Sequence, residues 1–167
     1  MLLVYTGNGK GKTSACVGQA VRALGRNLKV CFGQFMKSNV NAGEQKVLAN
    51  LLGADFYIGG QGFYCDEPEK PVHRAAAQNV YEWALSKAPD ANMLVLDEAL
   101  YALGSELITE EELKNIIVTC RKHNTHLVLS GRGLPEWLKS EADMVTEMGL
   151  VKHHYDSGVK AQIGIEF

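Results

Sequence analysis

The chain has 167 residues, 17 Lys and Arg against 19 Asp and Glu, and a formal net charge of −2. Apolar types make up 46% and charged types 22%, a globular balance that excludes disordered and fibrous structure and predicts one domain over residues 1–167. Near-even charge argues against a nucleic-acid binder, no apolar run reaches the roughly 18 residues of a membrane span, and Met1–Tyr5 lacks a secretory n-region, so the expectation is a cytoplasmic chain.

Leu2–Thr6 reads as a strand that runs into a glycine-rich turn. Val17, Ala20, Val21 and Leu24 recur at helical spacing, and Gly25 is expected to close that helix in the left-handed region. Val30–Phe35 is the next strand and Val47–Leu52 part of the next helix. Phe56–Ile58 is a short strand leading into Gly59-Gly60-Gln61-Gly62, a loop whose glycines leave it free to reshape. Pro71 suits the first turn of a helix with Ala77, Val80 and Ala84 on its apolar stripe, and Trp83 at helical spacing is expected in the core. Met93–Leu96 has the continuous apolar character of a parallel strand covered on both faces. Thr109 and Glu112 form a capping box ahead of Leu113, Ile116, Ile117 and Cys120. His126–Leu129 is a further strand, and Leu134–Leu138 a short helix with Pro135 at its start. Strand and helix alternating without a long linker predict one α/β fold, a mostly parallel sheet covered by helices on both faces. Loops at the C-terminal ends of its strands then share one edge.

Cys16, Cys31, Cys65 and Cys120 form no CxxC pair and read as thiols rather than a disulfide framework or zinc site. The five histidines form no metal-ligand spacing with them. Lys152, His153 and His154 read as a solvated turn.

The strongest chemical signal is Thr6-Gly7-Asn8-Gly9-Lys10-Gly11-Lys12-Thr13, between the first strand and the first helix. A phosphate chain needs several inward N–H groups, and glycines let the backbone approach closely enough to supply them. The helix N-terminus adds its positive end, Lys12 reaches phosphate oxygens and the Thr13 hydroxyl can hold Mg²⁺. Thr6 stands where such loops usually open with glycine. Nucleotide-binding candidates are therefore Gly7, Asn8, Gly9, Lys10, Gly11, Lys12, Thr13 and Ser14. A second signal, Asp97-Glu98, ends an apolar strand and places carboxylates within reach of the same metal ion. Arg132, after a late strand on the same edge, is a further phosphate candidate, whereas Lys37 and Glu44 carry no chemical signal of their own. These residues describe a small Mg-nucleotide-dependent enzyme. They leave open a kinase or ATPase on another small molecule, or a module that binds without turnover.

A longer set of motifs narrows the choice. Gly7–Thr13, Gln34-Phe35-Met36-Lys37, Gly43-Glu44, Leu96-Asp97-Glu98, Gly131-Arg132-Gly133, Val151-Lys152-His153 and the stretch from Asp156 to Glu166 follow one another in order. The chain thereby resembles the P-loop ATP:corrinoid adenosyltransferases over essentially its whole length. The resemblance implies a RecA-like single-domain P-loop NTPase fold, a homodimer, and ATP lying reversed in the loop with its 5′ carbon exposed to the Co(I) of a corrinoid. Tripolyphosphate leaves, in cobalamin biosynthesis or salvage, and an electron-donor flavoprotein is a possible partner. It further implies Lys12 and Phe63 as catalytic residues, Thr13, Glu98 and Asp97 as Mg²⁺ ligands, and Phe63, Tyr64 and Cys65 as the corrinoid-facing group. Cys65 stands where better-known members carry tryptophan.

Overall fold

The computed structural model describes residues 1–38, 42–62 and 67–166. Six strands form one sheet: β1 (Leu2–Thr6), β2 (Val30–Gln34), β3 (Phe56–Ile58), β4 (Met93–Asp97), β5 (His126–Ser130) and β6 (Met144–Glu147). Their order is β3-β2-β4-β5-β1-β6, and every neighbouring pair is parallel, so the sheet is wholly rather than mostly parallel. The helices are α1 (Lys12–Leu24), α2 (Gly43–Leu52), α3 (Lys70–Lys87), α4 (Ala99–Gly104), α5 (Glu110–Lys122) and α6 (Glu136–Glu141).

Alternation along the strands divides the core in two. Leu3, Val30, Phe32, Met93, Val95 and Val128 face one side, where Cys16, Ala20 and Ala23 of α1 and Leu48 of α2 meet them. Leu2, Val4, Cys31, Leu94, Leu96, Leu127 and Leu129 face the other, under α3, α4, α5 and Leu138 of α6. Because both faces are covered, β2 and β4 are buried at every position, which explains their unbroken apolar reading. Trp83 of α3 joins the second layer, stacked on Tyr57 at 5.5 Å. It lies so close to β2 that a Cβ on Gly33 would stand 2.9 Å from its ring.

Several expected boundaries move. Gly25 remains in the right-handed region (φ −63°), and Asn27 at φ 59° takes the left-handed turn two residues later. The α1 terminus is thus closed by a longer reverse turn. Pro135 caps α6 from outside at φ −74°, ψ 150°, so the helix starts at Glu136 and runs to Glu141. The second strand ends at Gln34, with Phe35 buried just beyond it. Gly59 and Gly60 are pinned rather than free: their N–H groups donate to Gln34 O at 3.1 Å and Lys37 O at 3.0 Å. A Cβ on Gly60 would lie 2.0 Å from Phe35 O, so this close crossing requires glycine.

Burial pushes the Cys31 thiol up to about 11 and the Cys120 thiol up to about 12, in keeping with packed, unreactive sulfur. Among the described residues no helix is long and apolar enough to cross a membrane.

The capping box of α5 is formed: Thr109 Oγ1 accepts from Glu112 N at 3.2 Å, and Glu112 Oε2 accepts from Thr109 N at 2.7 Å. The same carboxylate receives both Arg74 amino groups, at 2.8 and 2.6 Å, and so ties α3 to the start of α5. Arg74 holds the Glu112 carboxyl below its usual range, with the backbone of Thr109 adding to this. A depressed folded-state pKa stabilises the fold above the unfolded value of about 4.3 and is lost as pH falls through the folded value. Glu112→Gln should therefore destabilise the chain by about 1 kcal/mol at pH 7, a size limited by solvent screening of this partly exposed pair. The gap between variant and parent should close in acid, as urea titrations at several pH values would show.

Candidate active site

The C-terminal edge of the sheet gathers the chemistry. Thr6 ends β1, Gln34 ends β2, Asp97 ends β4 and Ser130 ends β5, and all four are buried. The loop 7–11 rises from β1 and turns into α1 through Gly11 at φ 118°. That helix start has no side-chain cap and no acidic residue in its first turn. Its first N–H groups thus keep their capacity for an anion, and the helix dipole is not neutralised. The loop itself is pressed against the segment after β6. Gly9 N donates to Met148 O at 2.7 Å, and Met148 N donates to Thr6 O at 2.8 Å. A Cβ on Gly7 would lie 2.4 Å from Met148 O, and one on Gly9 2.6 Å from Gly149 O. Glycine at these two positions lets the chain wrap this tightly.

Lys12 is 7% exposed, and its Nζ donates to Gly7 O and Gly9 O, both at 2.9 Å. The ammonium is held inside the curl of its own loop. Burial pushes its pKa below the ordinary lysine value; the Arg132 charge adds to this, while Glu98 and Asp97 oppose it. The Thr13 hydroxyl donates to Asp97, with Oδ1 and Oδ2 at 3.2 and 3.1 Å. The Asp97 carboxylate is fully buried and also accepts from Ser130 Oγ at 2.6 Å and Gln34 Nε2 at 3.0 Å.

Glu98 follows in the left-handed region (φ 60°, ψ 21°), where a non-glycine residue carries strain of order 1 kcal/mol or more. Its N–H donates to Ser130 Oγ at 3.0 Å, so Ser130 anchors both this kink and Asp97. Burial raises the Glu98 carboxyl above its usual range and repulsion from Asp97 adds to it; Lys12, Lys37 and Arg132 pull the other way.

A cavity of about 300 Å³ opens beside this core, lined by Lys10, Thr13, Ser14, Val17, Lys37, Gly43, Glu44, Gly164, Ile165 and Glu166. The structure thus brings Lys10, Thr13 and Ser14 together with Lys37 and Glu44, which have no chemical signal in the sequence. Glu166 reaches the loop from the far end of the chain, with Oε1 3.6 Å from Lys10 Nζ and 3.8 Å from His154 Nε2. Of the turn Lys152–His154, Lys152 is exposed, while the rings of His153 and His154 stack at 4.6 Å. Asn8 is exposed and faces a different cavity of about 330 Å³, beside Gly133, Glu136 and Glu147. Arg132 is exposed on the loop after β5. Phe63, Tyr64 and Cys65 lie outside the described residues.

Sequence reasoning misses the roles of Gln34, Gln45 and Ser130. The available signal is polarity out of place: Gln34 and Ser130 each end an otherwise apolar strand buried by both layers.

A profile of the family described as ATP:corrinoid adenosyltransferase BtuR/CobO/CobP matches residues 1–167. The corrinoid adenosyltransferase of Escherichia coli (strain K12) is 36% identical over 169 residues, covering 100% of this chain and 85% of that one. A protein of the same description from Pseudomonas aeruginosa is 36% identical over 172 residues, covering 100% and 83%. Among solved structures, the flagellar accessory protein FlaH from Methanocaldococcus jannaschii is similar in fold, with a TM-score of 0.52 at 12% identity over 87% of this chain and 69% of that one. With an anion-ready loop at the sheet edge and a match of this extent, the chain belongs to the ATP:corrinoid adenosyltransferase family.

Proposed function

We propose that the whole chain, residues 1–167, acts as one catalytic unit that transfers the 5′-deoxyadenosyl group of ATP to the Co(I) of a corrinoid. The observation that carries this reading is the full-length family match; the convergence of Lys12, Thr13 and the uncapped start of α1 on one edge supplies its physical basis. The cobalt lone pair forms the Co–C5′ bond, the C5′–O5′ bond breaks, and its electron pair leaves on tripolyphosphate, so Co(I) becomes Co(III). No proton has to be taken from the nucleophile, and no general base is required. What the protein supplies is alignment of the two reactants and stabilisation of charge on the leaving group.

In this reading the amides of Gly7–Gly11 and the start of α1 receive the triphosphate, with Asn8, Lys10, Ser14 and Arg132 as further phosphate contacts. Lys12 would exchange the neutral acceptors Gly7 O and Gly9 O for anionic phosphate oxygens, so that both donor and acceptor are charged. Magnesium takes oxygen ligands, and the Thr13 hydroxyl with the carboxylate of Asp97 3.1–3.2 Å away offers a donor set of that kind. Thr13 would hold the ion with its hydroxyl oriented by Asp97, and Glu98 would supply a carboxylate ligand. Such an ion supplies neutralisation of the leaving triphosphate. Thr6, in place of the usual first glycine, and the stretch 156–166 support reversed placement of ATP. The family resemblance supports a cytoplasmic homodimer that draws electrons from a flavoprotein.

Lys12→Ala should lower turnover by well over tenfold at saturating ATP, because one preorganised electrostatic contact to the leaving group is worth about 3 kcal/mol. Steady-state assay with chemically reduced cobalamin checks it. Phosphorus NMR of the reaction should show intact tripolyphosphate, stoichiometric with adenosylated product; ADP as the main product would instead identify a kinase or ATPase. For the corrinoid side we propose that Phe63 packs on the lower face of the ring, beside Tyr64 and Cys65, and excludes the axial base. Phe63→Ala should then impair turnover that starts from Co(II) far more than turnover from pre-reduced Co(I). Equal losses in the two assays would assign Phe63 to ordinary packing.

A further inference from the structure

Two buried glutamines stand behind the acidic residue of the site. Gln34 ends β2 and Gln45 lies in the first turn of α2, and both are fully buried. Gln45 Nε2 donates to Gln34 Oε1 at 2.9 Å, and Gln34 Nε2 donates to Asp97 Oδ2 at 3.0 Å. The direction of this pair is forced. A carboxylate only accepts, so Gln34 must turn its NH₂ toward Asp97 and its carbonyl away. That carbonyl needs a donor, which Gln45 supplies. An amide rotated by half a turn would set oxygen against oxygen at a buried site, an arrangement costing the desolvation of both groups.

Asp97 passes this order on. It is held by Ser130 and Gln34, and it accepts the hydrogen bond of the Thr13 hydroxyl. A hydroxyl that donates its proton to a fixed carboxylate presents its lone pairs on the other side, as a metal ligand must. We infer that Gln34 and Gln45 are positioning residues for the Thr13 hydroxyl: a relay from α2 through β2 and β4 to α1 that orients the metal-holding oxygen without touching substrate. Gln45 occupies the helical turn whose neighbours Gly43 and Glu44 line the 300 Å³ cavity. The first turn of α2 therefore serves the cavity wall with Gly43 and Glu44 and the metal-orienting network with Gln45.

This inference rests on the reading that Thr13 holds Mg²⁺, and the experiment separates the two. The variants are Gln34→Met, Gln45→Met and the double variant, all close to the original volume. One readout is the Mg²⁺ concentration that half-saturates turnover. The other is Mn²⁺ binding followed by electron paramagnetic resonance on protein with ATP and no corrinoid. Outer partners of a metal ligand are worth roughly 10–100-fold in affinity, so Gln34→Met should raise both values by about tenfold. Gln45→Met, one step further out, should raise them by less, but by more than about twofold. Binding of metal-free ATP should stay unchanged. Since Gln45 acts only through Gln34, the double variant should match Gln34→Met rather than show the product of the two effects. The double variant leaves neither amide buried without its partner, so it remains informative if a single variant fails to fold. Unchanged metal affinity in the double variant, or effects that multiply, would overturn the relay. A parent enzyme whose turnover ignores Mg²⁺ would instead overturn the metal reading.

Discussion

The buried carboxylate of Asp97 is the constraint on which the active edge depends. Taking such a group out of water costs several kcal/mol unless donors replace the lost hydration. Here the donors come from three other elements: Thr13 on α1, Ser130 on β5 and Gln34 on β2. Satisfying one group therefore fixes the relative positions of four segments that are far apart in the chain. The sheet order makes this possible, because β2, β4 and β5 are consecutive neighbours and β1, which launches the loop into α1, lies beside β5. A parallel sheet ends all of them at one edge.

Around that group the site is arranged by opposing electrostatic demands. Lys12 is buried, which lowers its pKa, while the nearby Glu98 and Asp97 favour its charge and two loop carbonyls accept its hydrogen bonds. Glu98 sits on a strained left-handed residue, its carboxyl raised by burial and by Asp97. Strain and burial of this kind persist only because the rest of the fold holds them in place. The same applies to the start of α1, whose free N–H groups have no side-chain cap. Such features weaken the isolated protein, and in the proposed reading a bound triphosphate and its counter-ion would relieve them.

The far end of the chain contributes to the same place by two routes. Met148 and Gly149 form a backbone wall against Gly7 and Gly9, so the curl of the loop depends on a segment some 140 positions away. The stretch ending at Glu166 then lines the cavity and approaches Lys10. Residues 156–166 carry a large part of the family resemblance, and the last three of them, Gly164, Ile165 and Glu166, line the cavity.

Much of the molecule was legible in the sequence. The strands β1, β2, β4 and β5, the helices α1, α3 and α5, the loop 7–13 and the Asp97-Glu98 pair all follow from local periodicity, capping and glycine chemistry, because those signals act within a few residues. The short α4 and the edge strand β6 did not. Six residues cannot display a helical period, and β6 is exposed along its length, so no alternation marks it. Nor could periodicity say that Gly59 and Gly60 are pinned, since their hydrogen-bond acceptors are Gln34 O and Lys37 O, and the atoms that crowd them belong to Val80 and Tyr57 at Gly59 and to residues 35–37 at Gly60. The parts that only tertiary structure decided share one cause. The Gln45–Gln34–Asp97–Thr13 chain, the Met148 wall and the approach of Glu166 to Lys10 are contacts between residues from 11 to 156 positions apart. Sequence by itself determined which local elements form and which chemical groups they carry; the stacking of parallel strands at one edge determined which of those groups meet.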